Sequence, residues 1–155
     1  MTLLRDIQNE TVMEHITPVR SKPKPTPKVK TVRRRKSPRK SLEKELWTTA
    51  SLYVRKRDGV CVTCGATEGL TMSHWIKAGK QRVRYDERNV NCQCSTCNNR
   101  HNHWTYFYDK YMLTHYGEKI MLELTELAMG KLWKWSQMDL ERMLAEYKEK
   151  LAGLE

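Results

Sequence analysis

Apolar residues recur at steps of three and four through SLEKELWTTASLYVRKRDG, where Leu46, Trp47, Ala50, Tyr53 and Val54 mark one face. That period predicts a helix, and Asp58-Gly59 supplies the turn chemistry to end it. The next stretch, VCVTCGATEGLTMSHWIKAG, is short, β-branched and broken by glycines, which predicts a small hairpin. KQRVRYDERNV then reads as an irregular basic loop. The last third returns to helical spacing, with HWTYFYDKYMLTHYG and EKIMLELTELAMG running into glycine caps at Gly117 and Gly130. Ser136, with Asp139 three residues on, is an N-cap signal. The helix it opens carries a stripe of Leu140, Met143, Leu144, Tyr147 and Leu151, read as core packing. A short amphipathic helix through Leu3, Leu4, Ile7 and Val12 fits the start of the chain.

Charge divides the chain in two. Residues 20–40, RSKPKPTPKVKTVRRRKSPRK, hold eleven of the 29 Lys and Arg and no acid, which leaves 18 bases against 18 acids elsewhere. Four of the five prolines lie in the same stretch. Such a segment buries too little apolar surface to offset its ordering entropy, so residues 1–42 are expected to be a disordered basic arm. Arg33, Arg34 and Arg35 suit phosphate contacts that release counterions from nucleic acid. Residues 43–155 form the expected folded domain, in a chain long enough for one modest core. There is no apolar run of membrane-spanning length and no secretory pattern at the start, so a cytoplasmic protein is expected.

The cysteines carry the first chemistry. Cys61 and Cys64 form one C-x-x-C, Cys94 and Cys97 a second, with 29 residues between the pairs. Two such knuckles offer four thiolates, the closed tetrahedral shell of a structural Zn2+. A redox dithiol needs only one pair. Cys92 is the spare and reads as a small buried residue. A closed four-thiolate shell has no open position, so any catalysis lies elsewhere.

His74 lies between the knuckles, with Asn89 five residues before Cys94 and Asn98 directly after Cys97. This order resembles the HNH, or ββα-metal, nuclease motif, in which two strands and a helix grip one divalent cation while a histidine activates water. Phosphodiester cleavage needs a base of near-neutral pKa, which imidazole supplies. It also needs a hard cation such as Mg2+ or Mn2+ against the charge that develops on phosphate. The resemblance assigns His74 as base, Asn89 to orient it or brace the loop, and Asn98 as a metal ligand. Asn102, one turn on, is the expected second ligand, with His101 and His103 as rivals. Lys77, Lys80, Arg82 and Arg84 in the basic loop are expected to contact phosphates.

RYDERNVNCQCSTCN, the Tyr116-Gly117 step and LWKWSQMDLERMLAEYKEKL resemble the NinG (Rap) recombination proteins of lambda-type phages, from about residue 43 to the end. The resemblance implies an α+β fold with a ββα-metal zinc-knuckle core flanked by helices. It also implies a metal-dependent endonuclease that cuts branched DNA in phage recombination, Holliday junctions and D-loops among it. Two coordinated cuts would suit a homodimer, and other recombination proteins of phage or host are candidate partners. Ser73 stands where many ββα-metal nucleases place an Asp or His ligand. His103 and Trp104 occupy the place of the family's Gly-Asn pair, and the Pro-Lys arm that of an extra cysteine-rich segment. The alternatives are a non-catalytic zinc module binding DNA or a protein, and an HNH homing or restriction nuclease.

Overall fold

The computed structural model describes residues 37–154. The basic arm up to residue 36, Arg33, Arg34 and Arg35 included, and the expected first helix lie outside the described residues. The described elements run α1 (Pro38–Asp58), β1 (Leu70–His74), β2 (Val90–Cys94), α2 (Ser95–His101), α3 (Tyr106–Met129) and α4 (Gln137–Ala152). A 3-10 turn at Gln81–Val83 interrupts the basic loop. The class is α+β, as the resemblance implied.

Helix α1 begins at Pro38, earlier than the period at Ser41 suggested, so the ordered chain reaches back past residue 43. The Ser37 hydroxyl accepts from the Lys40 N–H, and Pro38 sits at the first turn, where its missing N–H is no loss. Gly59 ends the helix in the left-handed region at φ 68°. The apolar face of α1 packs on that of α4. Leu46, Ala50 and Val54 meet Leu140, Met143, Leu144 and Tyr147, with Met72, Val90 and Cys92 of the sheet beneath. The expected cap at Ser136 is a full capping box with Asp139.

The hairpin expected within residues 60–79 is not formed. Only Leu70–His74 is extended, and it pairs antiparallel with Val90–Cys94, Leu70 opposite Cys94 and His74 opposite Val90. The first half of that stretch is spent instead on the knuckle, where Cys61 N–H bonds Ala66 O and Val62 N–H bonds Cys92 O. Thr71 and Ser73 share one face of β1, Met72 and His74 the other.

Helix α3 is two helices joined at Gly117, whose φ of 79° and ψ of 164° are non-helical. The expected break at Gly117 is thus present. Its conformation is essentially confined to glycine. Gly117→Ala is expected to lower stability by about 1–3 kcal/mol, read as a shift in denaturant midpoint. Gly130 also ends its helix, but in an extended conformation (φ −61°) rather than a left-handed cap. Around the bend Tyr108, Met112, Leu124 and Val83 form a second cluster. Among the described residues no helix is long and apolar enough to cross a membrane.

Candidate functional site

One turn, the end of β2 and the start of α2 build the four-cysteine cluster. Cys61 and Cys64 sit on a tight turn whose Gly65 takes φ 76°. Cys94 closes β2 and is the N-cap of α2, its sulfur accepting from the Cys97 N–H. The four sulfurs lie within 4.8 Å of one another, and Cys64 and Cys94 are 3.8 Å apart. A tetrahedron with metal–sulfur bonds of about 2.3 Å has edges of about 3.8 Å, so the cluster can hold a metal ion of zinc's size. Burial opposes charge on Cys61, yet the backbone N–H groups of Cys94, Cys64 and Thr63 outweigh it and bring the thiol down to about 7. Two thiolates 3.8 Å apart repel by roughly 4 kcal/mol at an effective dielectric of about 20, which a divalent cation reverses. Cys92 is fully buried in the α1–α4 core, apart from this cluster, and burial raises its thiol to about 11.

His74 closes β1 on the face turned to α1. Its ring stacks on Trp47 with centroids 5.4 Å apart. Its Nε2 lies 2.9 Å from the Arg84 carbonyl oxygen. A carbonyl only accepts, so Nε2 carries the proton and Nδ1 of the neutral ring keeps its lone pair. The Arg84 guanidinium lies over the Trp47 ring at 5.1 Å and the Tyr85 ring at 5.5 Å. Its buried Nε–H has no hydrogen-bond partner among the described residues. Desolvation and then the charge of Arg84 lower the His74 imidazole to about 4, against the bond to the Arg84 carbonyl.

That depression ties stability to pH. The folded state prefers the neutral ring, while the unfolded chain protonates His74 near 6.5. The His74 contribution therefore turns against folding as pH falls below 6.5, until both states are protonated below about 4. Relative to His74→Gln, the wild type is expected to lose about 2–3 kcal/mol between pH 7.5 and 4.5. Paired denaturant titrations at the two pH values measure it, and parallel curves for the two proteins would contradict it.

Asn89 braces the loop rather than orienting the imidazole. It is fully buried. Its Oδ1 accepts from Ile76 N–H at 2.7 Å, and its Nδ2 donates to Ile76 O and Val83 O. Removal takes these bonds from the Ile76 N–H and C=O, while Val83 O keeps its bond from the Asp86 N–H. Asn89→Ala is expected to cost about 3–5 kcal/mol, read as a fall in melting temperature.

Asn98 lies on the opposite face of β1 from His74. Ser73 Oγ is 2.9 Å from Asn98 Oδ1 and 2.7 Å from Gln93 Oε1, and Asn98 Nδ2 donates to Thr71 Oγ1. The expected convergence of His74 and Asn98 on one point is therefore not what strand alternation gives. The two flank the end of β1, separated by Ser73. The single hydroxyl hydrogen of Ser73 serves only one of its two amide oxygens. The candidates for a second ligand are placed differently from one another. Asn102 is exposed at the end of α2, its amide donating to Asn98 O. His101 turns inward instead, Nε2 3.0 Å from Trp75 O and the buried Nδ1 without a partner. His103 is exposed.

Of the loop cations, Lys77, Lys80 and Arg82 are exposed and Arg84 is half-buried. Arg82 and Arg84 part company, the first lying over Trp133 at 4.8 Å and the second over Trp47. The pairing of His74 with Trp47 and Arg84 was missed by sequence reading, because the period of α1 makes Trp47 one more core residue.

Comparison with known proteins follows this geometry. The model of a family described as Bacteriophage Lambda NinG protein matches residues 11–155. Protein ninG of Salmonella phage P22 is 26% identical over 125 residues, which are 76% of this chain and 59% of that protein. Protein ninG of Escherichia phage lambda is 25% identical over 125 residues, with the same two shares. The chain thus spans about three fifths of the length of these relatives. No solved structure matches. With a family match that runs through both cysteine knuckles, β1, β2 and the four described helices, the chain belongs to the NinG family of bacteriophage proteins.

Proposed function

We propose that this protein is a metal-dependent endonuclease that cuts branched DNA in phage recombination, working in the cytoplasm of the infected bacterium. The observation that carries the reading is the His74 ring, whose tautomer is fixed by Nε2–H on the Arg84 carbonyl so that Nδ1 is the acceptor, stacked on the Trp47 ring over which the Arg84 guanidinium lies. That is the arrangement of a general base next to an anion site. A phosphodiester bound by the Arg84 guanidinium would offset the cation that, together with burial, depresses His74, and would raise its basicity where water must lose a proton. Zn2+ fits the four thiolates and pins β1, β2 and α2.

A hard divalent ion such as Mg2+ or Mn2+ supplies neutralisation of the charge developing on the phosphate and the leaving oxygen. The oxygens of Ser73, Asn98 and Gln93 suit such an ion. Ser73 Oγ lies 2.9 Å from Asn98 Oδ1 and 2.7 Å from Gln93 Oε1, with one hydroxyl hydrogen among the three. In the reaction His74 Nδ1 takes the proton of the attacking water and Arg84 holds the phosphate; Asn98, on the opposite face of β1 from His74, would hold a divalent ion that acts on the phosphate from across the strand end. Exposed Lys77, Lys80 and Arg82 add phosphate contacts that carry no sequence preference, and shape then selects the substrate.

One observation favours a second reading, a zinc-stabilised DNA-binding module without catalysis. Rotating the Asn98 amide lets its N–H₂ donate to Ser73, which satisfies the same trio without an ion. Incubating the full chain with labelled four-way junction, flap and linear duplex, with Mg2+ or Mn2+ and with EDTA, separates the two. Metal-dependent cutting of the junction in preference to duplex is expected. Binding without cutting of any substrate would leave the module reading, and cutting of plain duplex at one sequence would point to a restriction-type nuclease.

A further inference from the structure

The turn between α3 and α4 comes back against the basic loop, and no sequence pattern announces it. Gly79–Arg82 and Gly130–Trp133 line a groove of about 110 Å3. Its lining brings three cations together, Lys80, Arg82 and Lys131, and no carboxylate. Glu126 borders Arg82 on the neighbouring surface, and nearby Glu123 is held by Arg88. Three features fix Arg82 there. Its guanidinium lies on the Trp133 ring at 4.8 Å. The Trp135 indole donates to Gln81 O at 3.2 Å and ties the two segments together. Gly130 leaves the space, since a Cβ there would meet Arg82 Nη1 at 2.8 Å.

We propose that this groove is a binding site for one backbone phosphate of DNA, in which Lys131 and Trp133 of the α3–α4 turn act with Lys80 and Arg82. The inference rests on the DNA-binding part of the proposed function and extends it to residues the loop alone does not contain. Size and charge decide the ligand class. Small-molecule sites usually enclose about 300 Å3 or more, so this groove takes one compact anion rather than a cofactor. The Trp133 face holds Arg82 aimed at the groove rather than free in solvent, which lowers the entropy lost on binding. Leu132 is 89% exposed on the same turn, and a protein partner or a second copy is the rival occupant.

Fluorescence-anisotropy titration of a labelled four-way junction with the full chain, across a series of salt concentrations, tests it. Lys131→Gln is expected to weaken binding about fivefold near 0.15 M salt and to reduce the log–log salt slope by about one. Trp133→Ala and the charge-conserving Gly130→Ala are expected to weaken binding as well, by releasing Arg82. Lys44→Gln, an exposed α1 change outside the groove, supplies the baseline for a general charge effect. If wild type binds and the three groove variants match that baseline, the phosphate site falls while the DNA-binding reading stands. If Trp133→Ala lowers the oligomeric mass in sedimentation and leaves DNA affinity unchanged, the turn is a protein interface and the proposal is wrong. Failure of wild type to bind any DNA removes the functional reading itself, and this site with it.

Discussion

Cys97→Ser, or removal of metal by a strong chelator, is expected to abolish cooperative folding around β1, β2 and α2. Cys61, Cys94 and Cys97 are buried, and the cluster they form with exposed Cys64 is where the first knuckle, the end of β2 and the start of α2 meet. Beyond it the two-stranded sheet has only five residues in each strand, too little to persist alone. Structural zinc contributes about 10–16 kcal/mol in small zinc modules, against about 5–15 kcal/mol for the net stability of a whole domain. Loss of one ligand is therefore enough to empty the folded state of this part. The α1–α4 pair retains its own apolar contacts, so helical ellipticity is expected to fall only in part while the cooperative melt disappears. Elemental analysis should give about one zinc per chain for wild type. A chelated sample that melts at the same temperature as the untreated protein would refute a structural metal.

His74→Ala is expected to lower junction cleavage by about 10²–10⁴-fold while junction affinity stays within a few fold of wild type. The split follows from the geometry. His74 is uncharged near neutral pH and its Nε2 is occupied by the Arg84 carbonyl, so its removal takes away a proton acceptor and little phosphate attraction. Arg84→Ala should differ, losing affinity and rate together, because it carries the guanidinium and one wall of the Trp47 stack. Cleavage assays and anisotropy titrations on the same preparations measure both. Equal loss of binding and cutting in His74→Ala would show that the ring only props the loop. Unchanged cutting would remove it from catalysis altogether.

The local signals in the chain were reliable where one residue type has one physical use. Gly117 breaks its helix, Ser136 with Asp139 caps the next, and the C-x-x-C pairs meet, because each follows from backbone conformation, capping or ligand geometry. The expected hairpin failed because pattern shows which residues can be extended but not their partner. The partner of β1 lies beyond a fifteen-residue connection, Trp75 to Arg88 and Asn89, held together by buried Asn89. His101 rather than exposed Asn102 turns inward for a related reason. Helical spacing places a residue on a face, while the neighbouring strand decides which of two adjacent side chains turns inward.

The sequence by itself determined the helices, the cysteine cluster and the family, since periodicity, caps and ligand spacing are properties of neighbouring residues. Only the tertiary structure decided what surrounds His74 and where the basic loop lies. Trp47, Arg84 and His74 come from three separate segments, as do Arg82 and Trp133 from two. Their meeting depends on α1 and the α3–α4 turn packing against the sheet and loop, and such long-range contacts leave no period in the chain.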